Sequence, residues 1–417
     1  MKLRTLAIAL ACLAALCFVS YAPSLSIPLL EDDYPNIAQA QTYGAVSGLH
    51  TLFGDATFRL RATSYWTMCL LWQAFHLLPL GYHLASLALH IANTWLVYFL
   101  CGAWFRMRPA AFWAAAFFAV YEGHQEAIMW FSAVNELLMV LFGLGALLCW
   151  TLAFSRERNW MLRLCGIVLF ALALISKESA VIFLPLFLLT IPVTNWRRTI
   201  VPLLPYCLPA GLALASIAAA RHSSFRFSDG SFSLSAPFWI TWPRGFARIL
   251  WIWGWLSAAV AVFVAGREAK VSGLLAAVWI GITLVPYSFL TYSTQIPSRQ
   301  TYLASIGLSF LFGLAIAHLS SRKLAIALVA VMAVHNVGYL WTKKRAQFLQ
   351  RAEPTEQLIQ LARQTPGPIW VRCFPRPALI AQEAVHLAAG WQPSNLIWSE
   401  SEAARRKPAA VFCYRER

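Results

Sequence analysis

An acidic triplet, Glu31-Asp32-Asp33, lies directly after the first long apolar segment of the chain. Carboxylates beside a hydrophobic bundle are costly to place and usually serve catalysis or binding. One chemistry that they support is general base catalysis, in which a carboxylate accepts the proton of an incoming hydroxyl group. The triplet therefore predicts a site whose other members lie elsewhere in the chain.

Isolated polar residues also occur at the ends of later apolar segments. His124 and Glu126 stand two residues apart in HQEA, and Glu136 lies near the start of the next apolar run. Lys177 and Glu178 form a turn between two further apolar runs. Each has a structural alternative, because a histidine can cap a helix and adjacent opposite charges can neutralise each other. All five are candidate substrate-binding residues.

A last polar group, Arg299 and Tyr302 in SRQTY, precedes the tenth apolar segment. An arginine there can simply extend to the membrane interface. Together, however, the outer loops supply carboxylates and two cations, Lys177 and Arg299, which can hold a phosphate and stabilise it as a leaving group. The centres of the apolar segments carry almost no ionisable residues, which favours chemistry near the surface over a transport pathway.

The composition indicates a polytopic membrane protein. Of the 417 residues, 59% are hydrophobic and only 12% are charged, which is far from the balance of a soluble domain. The net charge of +16 comes from basic residues spread over short loops. That distribution is typical of topology control and not of nucleic-acid binding.

Eleven apolar segments approach the length of about 20 residues that a membrane span requires. In chain order they are 5–23, 82–105, 109–121, 133–154, 161–176, 179–194, 199–220, 247–265, 271–291, 302–319 and 324–342. Basic residues occupy alternate connections, as the positive-inside rule requires of cytoplasmic loops. These residues are Lys2, Arg4, Arg106, Arg108, Arg156, Arg158, Arg163, Arg197, Arg198, Arg267, Lys270, Arg322 and Lys323. The pattern predicts a cytoplasmic amino terminus and outward-facing acidic loops.

The first segment is predicted to be an uncleaved anchor, since Pro23 follows the candidate signal-cleavage site and disfavours processing. Residues 24–81 then form a long outer loop with amphipathic helices that lie at the interface. The alternative, in which residues 61–78 cross the membrane, reverses every later loop and conflicts with the arginine pattern.

Residues 343–417 alternate helix-like and strand-like patterns, which predicts a small α/β domain with a short parallel sheet. An odd number of spans puts this tail outside, although Lys343, Lys344 and Arg345 argue against that placement. Cys373 and Cys413 fall on two predicted strands and can pair in an oxidising compartment. Free buried thiols are the alternative that we favour.

The motifs EDDYPNI, GYHL, HQEA, NELL, SKESA and SRQTYLASIG occur in matching order over residues 1 to about 320. In them the chain resembles bacterial membrane glycosyltransferases of the GT-C fold, in particular those related to the lumenal tetratricopeptide-containing protein O-mannosyltransferases. The resemblance implies an all-α polytopic domain of about 11 transmembrane helices over 1–342, followed by the small α/β extracytoplasmic domain 343–417.

The resemblance also implies an activity and roles for residues. Such enzymes transfer a sugar from a polyprenyl-phosphate-linked donor to a hydroxyl acceptor on a protein, lipid or glycan, at the extracytoplasmic side of the bacterial inner membrane. Asp32 or Asp33 is then the general base, and Lys177 and Arg299 suit the lipid phosphate. The implied pocket also includes His124, Glu126, Glu178 and Tyr302. No cofactor is firmly implied, and a divalent metal stays open.

Three departures weaken parts of this interpretation. Glu31 stands before Asp32, where relatives often have an aromatic residue. Ser298 stands where an acidic residue is expected before Arg299, which affects the details of donor binding. The tetratricopeptide array is missing, so a lipid or polysaccharide acceptor becomes comparable to a protein acceptor. Two other functions stay open: a transporter or flippase of a lipid-linked saccharide, and an inactive scaffold for envelope assembly.

Overall fold

The computed structural model describes residues 3–45, 48–155, 159–191, 200–220, 232–263 and 266–415. The predicted loop residues Lys2, Arg156, Arg158, Arg197 and Arg198 lie outside these ranges. The helices are α1 Leu3–Tyr21, α2 Asp33–Tyr43, α3 Gly48–Gly54, α4 Ala56–Arg59, α5 Ala62–Phe75, α6 Pro79–Trp104, α7 Arg108–Val120, α8 Gln125–Met129, α9 Val134–Ser155, α10 Trp160–Leu174, α11 Phe183–Leu189, α12 Leu204–Ala220, α13 Phe238–Phe263, α14 Arg267–Leu284, α15 Ala304–His318, α16 Arg322–Tyr339, α17 Arg345–Gln364, α18 Ala378–Ala389 and α19 Glu400–Arg406.

Within the described ranges, seven helices are long and apolar enough to cross a membrane. Each predicted span overlaps one of these helices or one of the shorter apolar helices α7, α10, α11 and α15. The largest difference is at α13, which begins at Phe238 and not at 247. The helix is kinked at Trp251, whose backbone is not helical. The chain is thus a mostly helical, multi-pass membrane protein.

Helix α7 lies at the centre of the bundle, packed between α1, α6 and α15. Residues 114–120 of α7 are alanine, phenylalanine and valine, and all of them are buried, as expected of a helix without a polar face. Close packing against α15 depends on Gly313, because a Cβ atom there would lie 2.3 Å from the carbonyl oxygen of Ala110. Small residues at such crossings are typical of membrane helices.

Helices α2 to α5 fill the stretch between α1 and α6. Asp55 caps α4 by accepting hydrogen bonds from the backbone amides of Thr57 and Phe58, which satisfies donors that a helix start leaves open. Helices are therefore present in 24–81 as predicted, whereas their place at the membrane interface stays a prediction. Helix α2 begins at Asp33, the last residue of the acidic triplet.

The carboxyl-terminal residues form a small unit of helices and a parallel sheet. Strands β1 Ile369–Cys373, β2 Leu396–Ile397 and β3 Ala410–Cys413 are ordered β2-β1-β3. A π-helical turn, Leu340–Lys344, makes α16 continuous with α17, which leads into this unit. A disulfide joins Cys373 to Cys413 on neighbouring strands. Our preference for free thiols at these two positions is therefore wrong.

Candidate active site

A cavity of about 2060 Å³ opens where α2, α5 and α18 meet the turns at 176–179 and 298–301. Its lining includes five of the predicted site residues, which are Asp32, Glu136, Lys177, Glu178 and Arg299. These residues come from parts of the chain that are far apart in sequence. The fold thus gathers most of the predicted polar groups at one end of the bundle.

The two neighbouring aspartates occupy different environments. Asp33 is fully buried, and its carboxylate accepts hydrogen bonds from the Leu30 amide (2.7 Å) and from the amide (2.7 Å) and hydroxyl (2.6 Å) of Ser132. Burial outweighs these bonds and raises the pKa of Asp33 to about 7. Asp32 is exposed and lines the cavity. The start of α2 therefore turns one carboxylate inward to the protein and the other to the cavity.

Glu31 anchors this segment to the carboxyl-terminal unit. Its carboxylate forms salt bridges with the guanidinium groups of Arg351 (N–O distance 2.7 Å) and Arg376 (2.9 Å). The φ angle of Glu31 is 39°, a left-handed conformation that is strained for a residue with a side chain. The two arginines hold the strained residue in place, directly before Asp32.

Lys177 and Glu178 do not neutralise each other. The Lys177 ammonium forms a buried ion pair with Glu136, whereas Glu178 pairs with Arg61 at 2.8 Å. Burial lowers the pKa of Lys177, and the Glu136 charge opposes that shift. Tyr287 also donates a hydrogen bond to Glu136 at 3.2 Å. The charge of Lys177 is thus already balanced by the protein.

Arg299 is less tightly held. Its guanidinium lies 3.7 Å from the carboxylate of Glu126, which also accepts a 3.2 Å hydrogen bond from the Arg299 backbone amide. The guanidinium lies over the ring of Trp130 at 4.8 Å, and so does that of Arg351. The Arg299 side chain is 29% exposed and lines the cavity. Of the two predicted cations, Arg299 is therefore the more available to an anion.

His124 and Tyr302 lie in a buried aromatic cluster and not among the described residues that line the cavity. Their rings are 4.6 Å apart, and His124 Nε2 is 2.6 Å from the Ser305 hydroxyl. Burial lowers the pKa of His124 well below its ordinary range, which keeps the ring neutral. The Tyr302 hydroxyl is hydrogen-bonded to Nδ1 of His90, on α6, at 2.8 Å. These residues support the turns that carry Glu126 and Arg299.

Several contributors to the site were not predicted from the sequence. They are Arg61, Trp130, Ser132, Tyr287, Arg351 and Arg376. Arg61 had a usable signal, since it is an isolated charge at the start of an amphipathic segment. Arg351 and Arg376 had none, because nothing local in the tail points to Glu31. In the described part of the chain, no three histidine, cysteine or acidic residues converge as metal ligands.

Solved structures share this architecture. ArnT from Cupriavidus metallidurans in the apo state gives a TM-score of 0.57 at 13% identity, over 95% of this chain and 90% of that chain. The same protein bound to undecaprenyl phosphate gives a TM-score of 0.52 at 12% identity, over 97% of this chain and 91% of that chain. A third structure is the oligosaccharyltransferase AglB from Archaeoglobus fulgidus in complex with an inhibitory peptide and a dolichol-phosphate. It gives a TM-score of 0.53 at 11% identity, over 95% of this chain and 64% of that chain. The chain therefore has the GT-C fold of membrane glycosyltransferases.

The sequence comparisons are narrower in extent. No protein-family model matches the chain. The chain is 32% identical over 109 residues to the protein O-mannosyl-transferase Tmtc1 of Drosophila melanogaster. That match covers 25% of this chain and 12% of Tmtc1, so the chain spans a small part of the length of this relative. The match agrees with the mannosyltransferase-like motifs read from the sequence.

Proposed function

We propose that the chain is an integral-membrane glycosyltransferase that moves a sugar from a polyprenyl-phosphate carrier to a hydroxyl acceptor. The observation that carries this proposal is that a carboxylate, Asp32, and a loosely paired cation, Arg299, line the same cavity. General base catalysis and stabilisation of a phosphate leaving group require this combination.

In the proposed reaction, the acceptor oxygen attacks the anomeric carbon while Asp32 removes the proton of the hydroxyl. The bond between the anomeric carbon and the phosphate oxygen breaks, and its electron pair goes to the lipid phosphate. Attack opposite the leaving group inverts the anomeric configuration. Asp33 is unsuited to this role, because its carboxylate is buried and already accepts three hydrogen bonds.

The lipid phosphate is assigned to Arg299. Lys177, whose charge is balanced by Glu136, acts as a positioning group for the turn at 176–179. An apolar stretch of the lining, Leu214, Ile217 and Leu290, is suited to the first isoprene units of the carrier. The lipid phosphates bound to ArnT and AglB in their structures support a carrier of this kind.

The cavity and residues 343–417 are proposed to face the extracytoplasmic side of a bacterial inner membrane. The disulfide between Cys373 and Cys413 supports this orientation, because disulfides persist in oxidising compartments. An alkaline phosphatase fusion at the carboxyl terminus is then active, and a fusion between α6 and α7 is inactive. The reverse pattern contradicts the orientation.

Binding and turnover of the donor test the proposed function. Purified protein in detergent is titrated with undecaprenyl phosphate, and consumption of undecaprenyl-phosphate-mannose is followed by mass spectrometry. Arg299→Gln is expected to weaken binding roughly tenfold, the effect of losing one charge-assisted hydrogen bond. Arg405→Gln, at an exposed arginine of α19, is the matched control. If the wild type consumes no lipid-linked sugar but moves it across vesicles, the protein is a transporter.

A further inference from the structure

One part of the cavity wall has no role in the donor chemistry. Helix α18 contributes Leu379, Glu383 and His386 to the lining, and their spacing puts them on one helical face. Helix α2 contributes Asn36 and Gln39. The carboxyl-terminal unit therefore supplies part of the wall that also carries Asp32.

Polar atoms in this cavity are buried without a partner. Gln41 Nε2, Ser64 Oγ and Gln300 Oε1 have no hydrogen-bond partner among the described residues, and all three residues line the cavity. Ser64 is only 5% exposed. Buried polar groups left unpaired are unfavourable and uncommon in native proteins. The cavity thus offers an amide donor, a hydroxyl and an amide acceptor. A ligand that both donates and accepts hydrogen bonds can pair with all three.

The side chain of His386 adds a fourth hydrogen-bonding group, an acceptor, to the cavity wall. Its Nδ1 atom lies 2.8 Å from the carbonyl oxygen of Trp391, and a carbonyl only accepts. Nδ1 therefore carries the proton, which leaves Nε2 as an acceptor in the neutral ring. A hydroxyl group can donate to this nitrogen.

We infer that the acceptor is a glycan, bound through its hydroxyl groups in the part of the cavity lined by α2, α5, α18 and the turn at 298–301. This inference rests on the proposed function, since it assigns the acceptor of the same reaction. A sugar presents hydroxyls that both donate and accept, which matches unpaired amides and hydroxyls better than a lipid chain does. Binding of a peptide by strand addition needs an exposed sheet edge, and no residue of β1, β2 or β3 is among the described lining residues.

Acceptor kinetics test the inference. Full-length protein in detergent receives undecaprenyl-phosphate-mannose with either a neutral mannose oligosaccharide or a serine- and threonine-containing peptide. Gln41→Ala and Glu383→Gln are expected to raise KM for the oligosaccharide about tenfold, without changing the Kd for undecaprenyl phosphate. Gln360→Ala and Glu400→Gln, at exposed residues of the same types in α17 and α19, are expected to leave both constants unchanged.

The outcomes separate this inference from the proposed function. Transfer to the peptide and not to the oligosaccharide would overturn the glycan assignment alone. An unchanged oligosaccharide KM in both Gln41→Ala and Glu383→Gln would overturn the location of the subsite. If the wild type transfers mannose to neither acceptor and not to water, the proposed function fails and the inference fails with it.

Discussion

At the scale of single residues, the central feature is the separation of Asp32 from Asp33. Both carry the same chemical group, but the first turn of α2 directs Asp33 to Ser132 and leaves Asp32 at the cavity. The sequence predicted that the pair includes the general base and could not decide which of the two aspartates it is. The ranking depends on Ser132, a contact across 99 positions that no local pattern reveals.

The raised pKa of Asp33 predicts a pH dependence of stability. Its folded-state pKa of about 7 lies above its ordinary value of 3.8, so the folded protein binds more protons between these values. Its contribution to stability is fully present below about pH 4 and is lost as the pH rises through 7. Thermal melts from pH 5 to 8 in detergent should show a falling midpoint. Asp33→Asn should flatten that fall, whereas Glu268→Gln, at an exposed carboxylate, should not.

The buried pair of Lys177 and Glu136 predicts strong coupling between two substitutions. Lys177→Met or Glu136→Leu alone leaves one charge buried and unpaired, which costs about 3–5 kcal/mol. The double variant should cost clearly less than the sum, as a double-mutant cycle of unfolding measures. The exposed pair Arg406–Glu402 is the control, with coupling of about 0.5 kcal/mol or less. Equal coupling in both pairs would contradict the buried ion pair.

At the scale of elements, each apolar segment of the sequence coincides with a helix, and the order of helices and strands in the tail was predicted correctly. Hydrophobic length is a strong signal, because a membrane span needs a continuous apolar stretch whatever its neighbours are. The start of α13 was missed, since Pro243 and Arg244 interrupt the apolar pattern of its first half. The pairing of Cys373 with Cys413 needed the register of β1 and β3.

The disulfide predicts how the carboxyl-terminal unit responds to reduction. It closes a loop with a sequence separation of 40 residues, and such a crosslink stabilises by roughly 2–4 kcal/mol. Limited proteolysis of the double variant Cys373→Ser/Cys413→Ser should cut the tail sooner. A reducing agent should speed cleavage of the wild type but not of the double variant. Cys165→Ser, at an exposed free cysteine, should match the wild type. Equal cleavage of all three would argue against a stabilising bridge.

At the scale of the whole molecule, the fold explains why weak sequence signals form one site. The polar turns lie in different parts of the sequence, each at the end of an apolar helix. Packing of the helices into a bundle brings these helix ends together around one cavity. Arg351 and Arg376 then fasten the tail to Glu31 beside the cavity. Sequence reasoning found the turns because each is a polar interruption in an apolar chain. It did not find their partners, which depend on how the helices pack.

Sugar transfer by variants of the two aspartates tests the central claim most directly. The rate of mannose transfer from undecaprenyl-phosphate-mannose is measured for the wild type, Asp32→Asn and Asp33→Asn, each at saturating donor in detergent. Loss of a general base is worth about 100-fold to 10,000-fold, so Asp32→Asn should lose at least 100-fold. Asp33→Asn, although less stable, should keep the rate of its folded fraction within tenfold. Retained transfer in Asp32→Asn, or its loss in Asp33→Asn alone, would contradict the account.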